Sequence, residues 1–251
     1  MRQFAIFFTL LFNVAGCSRE EEVLLPLRPD KPGIYSMADE LFGLPKPIFF
    51  RFEQSSTYKA YIDNSYNTDR INTEFYAYNF LNRDLGSLSW HDVPMRFRAN
   101  HYYGRSDRSD SLLGRNRALS HKSNSLELVS FTRELYSPLP MFFTIEGLTL
   151  DFKVDTLKGF TVKWVVDSLL PPDNPLLIYS EFDFMGQPKT FADTLSEWDG
   201  QYDYSPLLLT MNQKKSLKLY LARGVSYRDT IGTRTAGFSF IHFGVADLTL
   251  K

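Results

Sequence analysis

The pattern that most constrains this chain is alternation with a period of two. Residues Leu148–Val154 read Leu-Thr-Leu-Asp-Phe-Lys-Val, apolar and polar in strict turn, and Phe160–Trp164 repeats the pattern. An extended backbone sends successive side chains to opposite faces, so such a segment builds a half-buried strand and no coherent helical stripe. Similar short segments recur at Ile48–Phe52, Tyr58–Ile62, Glu74–Phe80, Leu88–Trp90, Val93–Phe97, Leu176–Tyr179, Phe182–Phe184, Leu217–Leu221, Gly237–Phe243 and Leu248–Leu250. The 22 Phe and 14 Tyr lean the same way, because aromatic rings suit pleated, half-buried surfaces. Turn signals fall between the segments, at Leu157-Lys158-Gly159, Pro171–Pro175, Met185–Pro188 and Asp199-Gly200. A spacing of roughly 8–15 residues favours antiparallel sandwiches over strand-helix-strand units. Helical signals are confined to Ser36–Phe42, with Ser36 as cap, and Ser205–Asn212.

The expected fold is therefore all-β, an antiparallel, immunoglobulin-like β-sandwich in two modules with few short helices. A boundary is expected near Pro138-Leu139-Pro140, where basic residues shift from mostly Arg to mostly Lys. This gives an N-terminal β-rich module over 34–143 and a C-terminal sandwich over 144–251, with Trp164 as a core aromatic. The chain has one Cys, so the cysteine pair of antibody domains is absent. Lys158–Trp164, Asp199–Tyr202 and Leu219–Gly224 resemble stretches of C-terminal β-sandwich modules in Bacteroidota lipoproteins, a resemblance that implies no activity.

The N-terminus reads as an address. Arg2 precedes the apolar run Phe4–Phe12, which is too short for a ~30 Å hydrocarbon core and fits the core of a signal peptide over residues 1–16. The run leads to Val14-Ala15-Gly16-Cys17, which resembles the lipobox of bacterial lipoproteins. That resemblance implies cleavage before Cys17 and acylation of its sulfur and new amine, hence membrane attachment through lipid. Multiple acyl chains hold stably where one holds only marginally. Ser18–Glu22 resembles the acidic export signal of Bacteroidota lipoproteins, which implies an outer-membrane protein at the cell surface, with a periplasm-facing position as the alternative. Residues 17–33 form the anchor and a Pro-containing tether.

Chemistry is sparse. The net charge of −1 supplies no global field for nucleic acid. There is no Gly-rich phosphate loop, no His-Glu-x-x-His, no Gly-x-Ser-x-Gly and no Cys-His pair. His91, His101, His121 and His242 lack ligand spacing, and no catalytic residue, metal or cofactor is expected. His242, between Ile241 and Phe243, is expected to face solvent or to be hydrogen-bonded. Glu181 and Asp183 share one strand face and read as solvated, with an acid/base pair as the alternative. Asp193, Glu197, Asp199 and Asp203 crowd one region as calcium ligands do, although Asp199-Gly200 is explained by a turn.

The most unusual stretch is Arg96–Lys122, with seven cations against Asp107 and Asp110 and with His101, Tyr102 and Tyr103 interleaved. From Asn100 to Asn124 it shows no clear period and reads as a long loop. Arg105, Arg108, Arg115 and Arg117 are the candidate binding residues, since guanidinium forks suit phosphates and carboxylates. The expected function is a lipid-anchored, non-enzymatic binding, adhesion or assembly role. Its expected partners are an anionic glycan or an outer-membrane protein. The alternative is a carbohydrate-active hydrolase using a loop carboxylate pair.

Overall fold

The computed structural model describes residues 34–43, 48–59, 72–106, 112–212 and 215–251. The leader, Cys17, the tether and Arg108 lie outside the described residues. The chain is nearly all strand. Its elements run α1 (Ile34–Phe42), β1 (Phe50–Lys59), β2 (Asn72–Asn79), β3 (Gly86–Trp90), β4 (Val93–Arg98), β5 (His101–Ser106), β6 (Arg115–Ser123), β7 (Phe131–Ser137), β8 (Phe143–Glu146), β9 (Phe160–Trp164), β10 (Pro175–Phe184), β11 (Gln187–Ser196), β12 (Gln201–Tyr204), α2 (Pro206–Thr210), β13 (Ser216–Ile231) and β14 (Arg234–Thr249). Ser205 caps α2, accepting from the Leu207 N–H, and Pro206 opens its first turn.

Eleven strands form one sheet in the order β11-β10-β13-β14-β1-β2-β5-β4-β3-β6-β7, and β12-β9-β8 form a second. The spine is the hairpin of β13 and β14, 16 residues each. It turns at Gly232, whose φ of 61° suits a residue without a Cβ. One pairing departs from the antiparallel expectation: β1 runs parallel to β14, from Phe50 opposite Ala236 to Lys59 opposite Val245. The partners are the first and last strands of the fold, and the spacing of consecutive segments carries no information about such a pair. That pairing also crosses the expected boundary at 143/144.

The large sheet folds over itself. Phe52 and Phe240 meet Trp90 at 5.1 and 5.5 Å, and Phe50 meets Phe131 edge-on at 5.5 Å, so β3, β6 and β7 lie over β1 and β14 as a sandwich. A second core forms where Leu217, Leu219, Leu221, Ala246 and Leu248 of the spine meet Phe143, Ile145, Val162 and Trp164 of the small sheet. On the opposite side of the spine, Ile34, Ala38 and Phe42 of α1 pack on Tyr179, Tyr220, Ile241 and Phe243. Each spine strand thus buries both faces, as its near-continuous apolar run requires.

Between the two sandwich cores the inner face turns polar. Arg223 and His242 are direct cross-strand partners on the spine, and Ser56 of β1 lies opposite His242. Arg223 is fully buried and grips Glu197 with two nitrogens, Nε to Oε2 at 2.9 Å and Nη2 to Oε1 at 2.5 Å. It also donates to the carbonyls of Leu139, Pro140 and Val165, closing the connection between β7 and β8 onto the spine.

Three sequence expectations are corrected. Leu148–Val154 is not a strand but a tight loop. Thr149 N–H donates to the Lys153 carbonyl, Phe152 adopts φ 57°, and Leu150 is 104% exposed. Alternation says which face a strand would bury, but here Val154 donates to the Thr249 carbonyl of the spine while Leu148 bridges back to Val154, so no continuous ladder forms. Ser36 is not the cap of α1 but lies inside it, since the helix begins at Ile34. Of the two readings of His242 the hydrogen-bonded one holds: it is completely buried and pairs through Nδ1 with Ser56 Oγ, because its strand is central and covered on both faces. Asn100–Asn124 is not one long loop, since β5 and β6 occupy most of its described residues.

Candidate functional site

Strands β2, β5 and β4 are neighbours on the arm of the large sheet that continues beyond β1. Period two sorts their side chains. Phe75, Ala77, Tyr102 and Met95 are buried on the inner side, while Phe97 and Val93 pack partly against the same core. The alternate residues, Glu74, Tyr76 and Tyr78 of β2, His101, Tyr103 and Arg105 of β5, and Arg96 and Arg98 of β4, occupy the outer side. Helix α1 covers this same side farther along the sheet, over β10, β13 and β14. Over β5 and β4, Tyr103 and His101 remain partly exposed and Arg96, Arg98 and Arg105 exposed.

The register lays these groups out in rows. Arg51 stands opposite Tyr78, and His101 opposite Arg98. Glu53 stands opposite Tyr76, Tyr76 opposite Tyr103, and Tyr103 opposite Arg96. The four rings form one patch: Tyr76 lies 5.4 Å from Tyr103, 5.8 Å from His101 and 6.4 Å from Tyr78, and Tyr78 lies 5.5 Å from His101. Such centroid distances are those of interacting aromatic pairs. The Tyr76 hydroxyl donates to Glu74 Oε2 at 3.1 Å. Burial first, and the Glu74 charge second, hold that phenol above its ordinary value, so it stays a neutral donor.

Charge is distributed unevenly around the rings. On the β1 side Arg51 is neutralised by an ion pair with Glu53. On the β4 side Arg96 and Arg98 form no ion pair among the described residues, and Arg105 stands opposite Glu74. The patch is therefore an aromatic floor of mutually tilted rings, with Tyr78 buried and a cationic rail along one edge. Behind it β3, β4, β5 and β6 line a hollow of about 470 Å³, with Phe97 and Tyr102 in its lining and Asp84 and Lys122 contributing charge.

Of the residues singled out by sequence, Arg105 lies on this face. Arg115 and Arg117 lie on β6, on the strand side that also carries Leu119 and His121, and β4 and β3 intervene between β5 and β6. The structure does not bring them to Arg105. Tyr76, Tyr78, Arg96 and Arg98 were missed as a group, although Glu74–Phe80 carries aromatics at positions of both parities, a sign that some must point outward.

The carboxylates do not converge. Glu181 stands opposite Lys218 on the outer side of β10. Glu197 is committed to Arg223, Asp199 closes a capping box on Ser196, Asp203 accepts from Thr161 Oγ1 at 2.6 Å, and Asp193 accepts from the Thr194 N–H at 2.8 Å. No group of three potential metal ligands occurs among the described residues.

No family model matches this chain, and no curated protein matches it. Among solved structures, a bacterial ice-binding adhesin studied for host cell surface retention is 11% identical. The match covers 78% of this chain and 65% of that chain at a TM-score of 0.21.

Proposed function

We propose that this protein is a lipid-anchored outer-membrane lipoprotein, displayed at the cell surface, that binds a glycan without chemically altering it. Attachment rests on the lipobox-like Val14–Cys17 and the tether to residue 33. The binding role rests on one observation, the patch of Tyr76, His101 and Tyr103, partly exposed on the outer strand face. A pyranose ring carries an apolar face of C–H groups, and an exposed aromatic ring removes that face from water while leaving the hydroxyls solvated. The rings are held by strands, so little freedom is lost on binding. Enzymatic turnover would call for convergent polar groups in a concave site, whereas Glu181, Asp193, Glu197, Asp199 and Asp203 are spread apart or committed to internal partners.

Two measurements test the reading. Cys17→Ala should leave the chain uncut and without acyl chains by mass spectrometry, and a mature chain beginning elsewhere overturns the anchor. Replacing Tyr76 and Tyr103 with Ala should abolish retention on immobilised polysaccharide, and unchanged retention overturns the binding face.

A further inference from the structure

We infer that the ligand of this face is an acidic polysaccharide whose chain lies along β2 and β5, its sugar faces on the tyrosines and its carboxylate or sulfate groups over Arg96 and Arg98. The inference rests on the glycan-binding reading of the same site and adds the charge and direction of the ligand. Arg96 stands beside Tyr103 and Arg98 beside His101. The two guanidinium groups lie two residues apart on one face of β4, which spaces them by ~6.8 Å along the strand. His101 and Tyr103, both partly exposed, repeat that spacing on β5. The floor thus offers two ring-sized positions in line with two cations, a match for saccharide units that each carry an acid.

The opposite edge supplies no competing rail, because Arg51 is spent on Glu53. Arg96 and Arg98 are exposed and lack acidic partners among the described residues, so an incoming anion displaces no internal ion pair. Guanidinium forks donate to carboxylate and sulfate oxygens in bidentate geometry. A face of this composition distinguishes an acidic glycan from a neutral one by charge, and from a polyanion without accessible sugar faces by stacking.

The test uses the full-length protein in mild detergent, with polygalacturonate and heparin as carboxylate and sulfate probes, dextran as a neutral glycan, and duplex DNA as a polyanion with its sugars out of reach. The inference expects one or both acidic glycans to bind at least tenfold more tightly than dextran or DNA, with weakening by added salt. It also expects R96Q/R98Q and Y76A/Y103A each to lose tenfold or more; if Y76A/Y103A fails to fold, Tyr103→Leu keeps the apolar bulk and removes the flat ring. Whichever of the two acidic probes binds more tightly identifies the acid. If dextran binds as well as the acidic glycans, R96Q/R98Q is unchanged and Y76A/Y103A is lost, acid recognition is wrong while glycan binding stands. If DNA binds equally and only R96Q/R98Q is affected, the face is a plain cationic patch and both readings fall. If no glycan binds the wild-type protein, both fall as well.

Discussion

Arg223 shows how much a single residue decides here. Its guanidinium, wholly buried, satisfies a carboxylate and three backbone carbonyls from three chain segments. Burial pushes the Glu197 carboxyl up, and the Arg223 fork and charge pull it back down. Removing one partner of a buried pair leaves the other uncompensated, so Arg223→Met should cost about 3–5 kcal/mol in urea unfolding. Adding Glu197→Leu should recover part of that loss, and strictly additive losses would show that the two do not act as a pair. His242, its cross-strand neighbour, sets a pH dependence. Burial, with a smaller contribution from Arg223, lowers its imidazole to about 3, against ~6.5 in the unfolded chain. Between those values the unfolded state binds a proton that the folded state refuses. Stability should therefore be complete above about pH 6.5 and fall as pH drops toward 3, by up to ~1.4 kcal/mol per unit from this group. Burial lowers His121 in the same direction. His242→Gln should flatten the profile, and an unchanged slope would remove His242 as its source.

At the scale of elements, close approach sets what the spine tolerates. A Cβ on Gly224 would lie 2.4 Å from the Phe42 ring, so α1 rests on the bare backbone of β13. Gly224→Ala should lift α1 and destabilise by about 1–3 kcal/mol. If the clash is with Phe42, combining it with Phe42→Ala should cost less than the sum of the two single changes in a double-mutant cycle. Helix α1 was legible over Ser36–Phe42, but its start was misplaced, because Ser36, read as its cap, lies inside a helix that begins at Ile34. The loop Leu148–Val154 was not, because its residues alternate as a strand does. What distinguishes it is Thr149, whose hydroxyl donates to Asp151 and to the Lys153 carbonyl and whose side chain accepts from the Lys153 N–H. Those local bonds turn the chain back between Leu148 and Val154, so that only a bridge at Val154, not a ladder, joins the segment to the spine.

Across the whole molecule, the parallel pairing of β1 with β14 ties the ends of the fold together. Phe238 and Phe240, from the last strand, sit in the same core as Phe50, Phe52 and Trp90 from the first part of the chain. A chain cut between 143 and 144 should accordingly give two fragments that each fail to show cooperative unfolding alone, since one exposes the unpaired edge of β1, the other that of β14, and the core is divided between them. Mixing the fragments should restore a single transition, and independent melting of either one would refute this interdependence. Contacts this remote in sequence also predict slow refolding, in the range of milliseconds to seconds by stopped-flow fluorescence.

The sequence by itself determined the strand content, the two short helices and the burial of Trp164, because a two-residue or helical period and a capping residue act within a few positions of one another. It also held, unassembled, the parts of the candidate site: Arg96, Arg98 and Arg105 in a basic stretch, and tyrosines in neighbouring segments. Only the tertiary structure decided which strands adjoin, and hence that Tyr76 meets Tyr103 while Arg115 and Arg117 lie elsewhere. Only it decided that Arg223, one cation among many in the sequence, is enclosed with Glu197. Partner choice in a sheet is fixed by burial and hydrogen bonding between segments that can be the whole chain apart, and no local period records it.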